Sequence, residues 1–178
     1  MNRAEAGMIH IYTGEGKGKT TAALGLAVRA AGSGKKVVLL QFLKGQHTSE
    51  LDILNQIEQI KIMRLSKPYP FLRDLTAEDK TMMTAEQNEM LQQALAMVEA
   101  GECDMLILDE IMLAYQHHTV DKLLVHNLVE QKPAGLELVM TGRNARDYFI
   151  EQADYVTEMV KKKHPFDAGY EARKGIEY

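Results

Sequence analysis

The chain has 178 residues, of which 46% are hydrophobic and 26% are charged, a composition that is ordinary for one globular domain. Its formal net charge of -4 argues against a nucleic-acid-binding surface as the main function, and no apolar run reaches membrane-spanning length. Cys103 is the single cysteine, which excludes an internal disulfide and favours a cytoplasmic protein. From the charge and the apolar runs we expect neither nucleic-acid nor membrane partners.

Predicted strands and helices alternate along the chain. Apolar runs bounded by turn signals predict strands over residues 9–12, 37–42, 60–63, 105–108, 136–140 and 155–159. Helices are predicted over residues 20–31, 49–56, 76–100, 120–131 and 145–152. The connection over residues 66–75 contains two prolines and is predicted to be irregular. This alternation predicts one α/β domain over residues 1–178, with a mostly parallel sheet flanked by helices on both faces.

A glycine-rich loop follows the first predicted strand. Residues 13–21 read Thr-Gly-Glu-Gly-Lys-Gly-Lys-Thr-Thr and run into a predicted helix, which is the order of a phosphate-binding P-loop. Glycines let several backbone N–H groups point at one anion, and the helix dipole adds positive charge. The spacing departs from the standard motif because Thr13 stands where the first glycine is expected, and a glycine-rich turn without a ligand is the alternative. The loop predicts a three-layer, P-loop NTPase-like fold and a nucleoside triphosphate bound by Thr13, Gly14, Glu15, Gly16, Lys17, Gly18, Lys19, Thr20 and Thr21.

Two acidic residues end a later buried strand. Residues 106–110 read Leu-Ile-Leu-Asp-Glu, the form of a Walker B strand, so Asp109 and Glu110 can hold Mg²⁺ together with the Thr20 hydroxyl. The alternative is a strand that ends in solvated acids. Arg143 follows another strand and a glycine, and its guanidinium can contact a phosphate chain bidentately. A surface arginine explains that position equally well.

These motifs resemble the P-loop ATP:corrinoid adenosyltransferases, also called cob(I)alamin adenosyltransferases. The resemblance covers nearly the whole chain, and its strongest segments are residues 13–21, 41–45, 108–110, 141–143 and the tail over 163–178. The tail reads Lys-His-Pro-Phe-Asp-Ala-Gly and ends in Gly-Ile-Glu-Tyr, which is not a general P-loop feature. The off-register P-loop also fits this family.

The resemblance implies a reaction unlike phosphoryl transfer. The 5′-deoxyadenosyl group of ATP moves to the cobalt(I) of a reduced corrinoid, either cobalamin or a precursor such as cobinamide, and triphosphate leaves intact. Lys17, Lys19, the loop amides and Mg²⁺ are expected to stabilise the departing triphosphate, with Thr20 and Glu110 as the first metal contacts. The resemblance also implies an electron-donating flavoprotein that reduces cobalt(II), and a homodimer.

Aromatic and tail residues receive roles from the same resemblance. Family members displace the lower axial ligand of cobalt with a Phe and a Trp one residue apart, whereas this chain has no Trp. Tyr69 and Phe71 have that spacing and are the candidates for the displacement. His164, Phe166 and Asp167 are expected to line the corrinoid crevice. For both groups, packing without substrate contact is the alternative.

Two other functions fit the P-loop and the acid pair alone. A P-loop kinase or ATPase would release ADP and would need a hydroxyl or water placed beside the terminal phosphate. A nucleotide-gated binding module would show little turnover with any reduced corrinoid. The tail and the proline-rich aromatic segment favour the adenosyltransferase.

Overall fold

The computed structural model describes residues 6–177, so Tyr178, the last residue of the tail motif, lies outside the described part. The strands are β1 (Ile9–Thr13), β2 (Val37–Gln41), β3 (Ile60–Arg64), β4 (Met105–Asp109), β5 (Glu137–Thr141) and β6 (Tyr155–Glu158). The α-helices are α1 (Lys19–Gly32), α2 (Leu51–Leu54), α3 (Ala77–Glu99), α4 (Ile111–Gln116), α5 (Lys122–Glu130) and α6 (Asp147–Gln152). Short helical turns cover Leu72–Asp74 and Pro165–Ala168.

The strands form one sheet in the order β3-β2-β4-β5-β1-β6, and every paired neighbour runs parallel. This arrangement confirms the predicted α/β class. Because all strands point the same way, their carboxyl ends share one edge, which is where ligands bind in open α/β sheets. One strand, β5, separates β1 from β4, so the glycine-rich loop and the acid pair emerge close together at that edge.

Helices cover both faces of the sheet. On one face, the small residues Ala23 and Ala27 let α1 pack closely on β2, β4 and β5. On the other face, Leu91 and Ala94 of α3 belong to a larger cluster with β2 and β4. All five residues of β2 and all five of β4 are buried, which explains why these strands read as continuous apolar runs.

Local signals account for where the helices begin. Thr76 caps α3, because its hydroxyl accepts a hydrogen bond from Asp79 N at 3.0 Å while the Asp79 carboxylate accepts one from Thr76 N at 3.3 Å. Helix α4 was not predicted, since its six residues are too few to show a helical period. It starts directly after Glu110, whose φ of 63° turns the chain sharply out of β4. Among residues 6–177, no helix has the length and apolar character needed to span a bilayer.

Candidate active site

The glycine-rich loop wraps against the chain that follows β6. Gly14 and Gly18 have φ values of 96° and 116°, which favour glycine. The Gly16 N–H donates to Met159 O at 2.6 Å, and a Cβ on Gly16 would lie 2.5 Å from that oxygen. Thr13 ends β1, and its hydroxyl accepts a hydrogen bond from Ala145 N at 3.2 Å. The non-glycine residue at this position therefore ties the loop to the segment before α6.

Lys19 lies at the first turn of α1 and is 8% exposed. Its ammonium donates to Gly14 O at 2.7 Å and to Gly16 O at 2.9 Å. These bonds keep the ammonium inside the loop, where a phosphate is expected to bind. Burial lowers the pKa of Lys19, and the carboxylate of Glu110 opposes that shift. The loop thus places a partly desolvated cation where an anion would gain most from it.

Asp109, at the end of β4, is hydrogen-bonded to residues at the ends of β2 and β5 and at the start of α1. Its side chain is fully buried, and its Oδ1 accepts hydrogen bonds from Thr20 Oγ1 at 2.8 Å and Thr141 Oγ1 at 2.7 Å. Its Oδ2 accepts from Lys44 Nζ at 2.6 Å and Gln41 Nε2 at 3.3 Å. These bonds bring together the ends of β2, β4 and β5 and the first turn of α1. Each oxygen of Asp109 already has two donors, so this carboxylate mainly organises its neighbours.

Glu110 differs from Asp109 although the two are adjacent. Its backbone N–H donates to Thr141 Oγ1 at 2.9 Å, but its carboxylate has no hydrogen-bond partner within the described residues. Burial raises the pKa of Glu110, Asp109 beside it adds to that shift, and Lys44 and Lys19 oppose it. An unpaired carboxylate at the mouth of the loop is suited to take up a cation. No group of three or more His, Cys, Asp or Glu side chains forms a metal cluster in residues 6–177.

The remaining cations of the site are paired with internal anions. Arg143 Nη1 lies 2.9 Å from Glu15 Oε2, which places this arginine beside the loop, and its contact with a phosphate chain stays a prediction. Lys17 Nζ lies 2.9 Å from Glu177 Oε1, in the tail. Both pairs are largely exposed, so their strength is modest and they can exchange partners with an arriving polyanion.

An open cleft of 780 Å³ lies beside this charged centre. Its walls include Tyr69 and Phe71, from the proline-rich segment over residues 67–71, and Phe166 from the tail. The fold thus brings together aromatic residues that are far apart in sequence. The side chains of Phe71 and Phe166 are 77% and 74% exposed. Large apolar groups this exposed are typical of binding surfaces. Lys44 lines the same cleft, which makes the cleft continuous with the site at Asp109.

Two predicted tail residues lie elsewhere. His164 Nδ1 accepts a hydrogen bond from Phe166 N at 3.2 Å and so caps the turn over Pro165–Ala168. Asp167 pairs with Lys161 at 3.0 Å. Neither residue lines the cleft in this structure, and their roles toward a corrinoid stay predictions.

Lys44, Gln41 and Thr141 are site residues that sequence reasoning did not single out. Gln41 pairs in register with Asp109 across β2 and β4, which carries both Gln41 and the nearby Lys44 to the acid pair. In the sequence, residues 41–45 stand out only through the family resemblance. A polar residue and a lysine at the end of an apolar strand were the available signal, but using it requires knowing that β2 is the neighbour of β4.

The comparisons with known proteins agree with this geometry. Residues 5–178 match the family model described as ATP:corrinoid adenosyltransferase BtuR/CobO/CobP. The chain is 34% identical to the corrinoid adenosyltransferase of Escherichia coli K12, covering 98% of this chain and 87% of that protein. It is 33% identical to the corrinoid adenosyltransferase of a Sinorhizobium species and 32% identical to that of Salmonella typhimurium, covering 98% of this chain and 81% and 87% of those proteins. The chain therefore belongs to the ATP:corrinoid adenosyltransferase family.

Proposed function

We propose that this protein transfers the 5′-deoxyadenosyl group of ATP to the cobalt(I) of a reduced corrinoid and releases triphosphate. The observation that carries the proposal is the continuity of the P-loop centre with an aromatic cleft, because Lys44 bonds Asp109 and also lines that cleft. A flat substrate in the cleft would lie beside the α-phosphate end of a triphosphate held by the loop, which is the end that carries the ribose. Clefts of this size and lining are typical of small-molecule sites.

In this reaction the protein has to supply mainly the placement of both substrates and positive charge beside the leaving group. Cobalt(I) attacks the 5′ carbon of the ribose, the bond between that carbon and the oxygen of the α-phosphate breaks, and the electron pair stays with triphosphate. The nucleophile belongs to the substrate, so no side chain has to remove a proton. The loop amides, Lys17 and Lys19 supply fixed positive charge for the leaving group, and binding both substrates in line supplies the geometry.

Mg²⁺ is part of the proposal, and the residues present fit it. Thr20 donates its hydroxyl proton to Asp109, so its oxygen faces a cation as an acceptor, and in this structure it accepts from the Lys44 ammonium at 3.3 Å. Glu110 offers an unpaired carboxylate. Hard oxygen ligands of this kind are what Mg²⁺ prefers, usually shared with the phosphates and water. Bound Mg²⁺ would neutralise part of the triphosphate charge. Thr20 and Glu110 are the proposed first contacts. Asp109, which bonds the Thr20 hydroxyl, is the next candidate, either directly or through water.

Product analysis tests the function directly. The protein is incubated anaerobically with ATP, Mg²⁺ and chemically reduced cobalamin. We expect triphosphate and a light-sensitive adenosylated corrinoid in equal amounts. ADP with phosphate and no cobalt–carbon product would instead support the kinase or ATPase alternative, and no turnover at all would support a binding module.

We further propose that Tyr69 and Phe71 displace the lower axial ligand of cobalt, which makes cobalt(II) easier to reduce by a flavoprotein partner. The support is their place on the cleft wall and the 77% exposure of Phe71. The guanidinium of the exposed Arg73 lies over the Phe71 ring, 5.7 Å from its centroid, and a ligand would replace that contact. The segment rests on the core through few contacts, since residues 67–71 are mostly exposed. Such a segment can move at low cost.

Replacing Phe71 with Ala should therefore slow turnover from cob(II)alamin on the order of tenfold more than turnover from cob(I)alamin reduced beforehand. The physical reason is that only the first assay depends on removing the axial ligand. Tyr170→Ala is the matched control, since Tyr170 is 67% exposed and lines neither described cleft. Equal losses in the two assays would show that Phe71 only shapes the cleft.

A homodimer and a cytoplasmic location complete the proposal. Tyr155 and Val156 of the edge strand β6 and Val160, two residues after its end, are exposed and form an apolar edge that a second copy could cover. Cys103 is a free, buried thiol whose pKa burial raises to about 11, as suits a protein in a reducing compartment. Light scattering of the purified protein would measure the mass of the assembly, and a monomer at micromolar concentration would contradict the dimer.

A further inference from the structure

Lys44 occupies an unusual position at the end of β2. Its ammonium lies 2.6 Å from Asp109 Oδ2 and 3.3 Å from Thr20 Oγ1. The lysine side chain is 28% exposed, whereas that of Asp109 is fully buried. A buried carboxylate without a positive partner is costly, and Lys44 is the only ammonium bonded to Asp109 within the described residues. The charge balance of Asp109 therefore depends on Lys44.

The same position is the one that a metal ion would use. In P-loop proteins the hydroxyl after the loop lysine and the acid at the strand end together hold the magnesium of the bound nucleotide. Here the hydroxyl is that of Thr20 and the acids are the pair Asp109 and Glu110. The ammonium of Lys44 contacts both Thr20 Oγ1 and Asp109 Oδ2, at the same position. Two cations this close repel each other strongly in a partly desolvated site. Lys44 and a divalent ion therefore cannot both stay there.

The side chain of Lys44 has open space on two sides. It lines the aromatic cleft and also a second cleft of 740 Å³, which is bounded by α1 and the last tail residues. Its four-carbon stem is flexible, so the ammonium can leave Asp109 and remain at the junction of the two clefts. In the proposed reaction, that junction is where the triphosphate end meets the corrinoid.

We propose that Lys44 holds the place of the magnesium ion in the nucleotide-free protein and moves onto the triphosphate when the metal–nucleotide complex binds. The site thus stays neutral before binding and gains one more cation on the leaving group after it. This exchange rests on the proposed use of a divalent metal with a triphosphate, and it does not depend on the corrinoid as acceptor.

The first test measures Mn²⁺ binding without nucleotide by electron paramagnetic resonance. We expect Lys44→Met to bind Mn²⁺ on the order of tenfold more tightly than the unsubstituted protein, because the competing charge is gone. Lys44→Arg keeps the charge and should bind Mn²⁺ as weakly as the unsubstituted protein. If the Met variant does not fold, Lys44→Gln replaces it with the same expectation, because its amide can still donate to Asp109. An affinity unchanged by removing the charge would overturn the proposal.

The second test measures binding of inorganic triphosphate with Mg²⁺ by calorimetry. We expect Lys44→Met to weaken binding on the order of tenfold, because a charge-assisted contact is lost. Lys61→Met, at an exposed position on β3, is the matched control and should leave the affinity unchanged. Both changes in affinity are required, and the absence of either overturns the proposal. Neither test contains a corrinoid, so failure here and failure of adenosyl transfer are separate results.

Discussion

Replacing Lys19 with Met is expected to reduce adenosyl transfer on the order of 10³-fold, the largest loss for any single side chain here. Lys19 is the cation that the loop keeps at its centre, 2.7 Å from Gly14 O and 2.9 Å from Gly16 O. Its low exposure strengthens any contact with phosphate, since water screens the charge poorly there. Methionine keeps an unbranched side chain of similar size and removes the ammonium, together with its hydrogen bonds to Gly14 O and Gly16 O.

Binding and turnover should both fall in this variant. In the proposed reaction, Lys19 contacts the triphosphate both in the substrate and in the leaving group. Because charge on the leaving group rises as the bond breaks, kcat should fall as well as the affinity for ATP. Lys35→Met is the control, because Lys35 is exposed in the turn after α1. A circular dichroism spectrum checks folding. Activity of the Lys19 variant within about threefold of the unsubstituted protein would refute the P-loop assignment.

Replacing Glu110 with Gln is expected to lower turnover on the order of 10²-fold and to raise the Mg²⁺ concentration needed for half-maximal activity. The change removes one negative charge from the proposed metal site and alters the side-chain shape very little. Glu102→Gln, at an exposed position before β4, is the matched control. An unchanged Mg²⁺ requirement would show that Glu110 does not contact the metal.

Although Glu110→Gln is expected to lower turnover, we expect it to raise the stability of the folded protein. Burial and Asp109 raise the folded-state pKa of Glu110 above its unfolded value, so ionised Glu110 opposes folding, and the opposition grows as the pH rises through that interval. Without nucleotide, Glu110→Gln should therefore melt at a higher temperature than the unsubstituted protein at neutral pH. The difference should shrink toward zero as the pH falls to about 4, the unfolded pKa of Glu. A variant that melts lower at neutral pH would contradict this reading of Glu110.

Much of the site was predictable because it depends on short segments and on sheet direction. The P-loop, the acid pair and Arg143 each follow an apolar strand, and parallel strands bring their carboxyl ends to one edge. In the structure, Asp109 bonds Thr20 at the P-loop and Thr141 at the end of β5, and Arg143 pairs with Glu15 of the loop. The roles of these residues toward a ligand stay predictions. The family prediction was confirmed by the match over residues 5–178.

Other features depend on long-range packing that the sequence does not display. Lys44 reaches Asp109 only because β2 pairs with β4, and strand order is not readable from apolar runs. The distinction between Asp109 and Glu110 arises from burial and from the φ of 63° at Glu110. The tail pairs His164 and Asp167 with their own neighbours, since local hydrogen bonds compete with a ligand for these polar groups.

In the proposed reaction, the loop binds ATP by its triphosphate, and the 5′ carbon of the ribose is open to attack by cobalt. The bond that breaks can be identified with ATP that carries heavy oxygen at the position linking the ribose to the α-phosphate. After turnover with reduced cobalamin, mass spectrometry of the products locates the label. The account predicts that all of the heavy oxygen leaves in triphosphate, because the carbon–oxygen bond breaks. Label that stays with the nucleoside would show cleavage at phosphorus and would contradict the account.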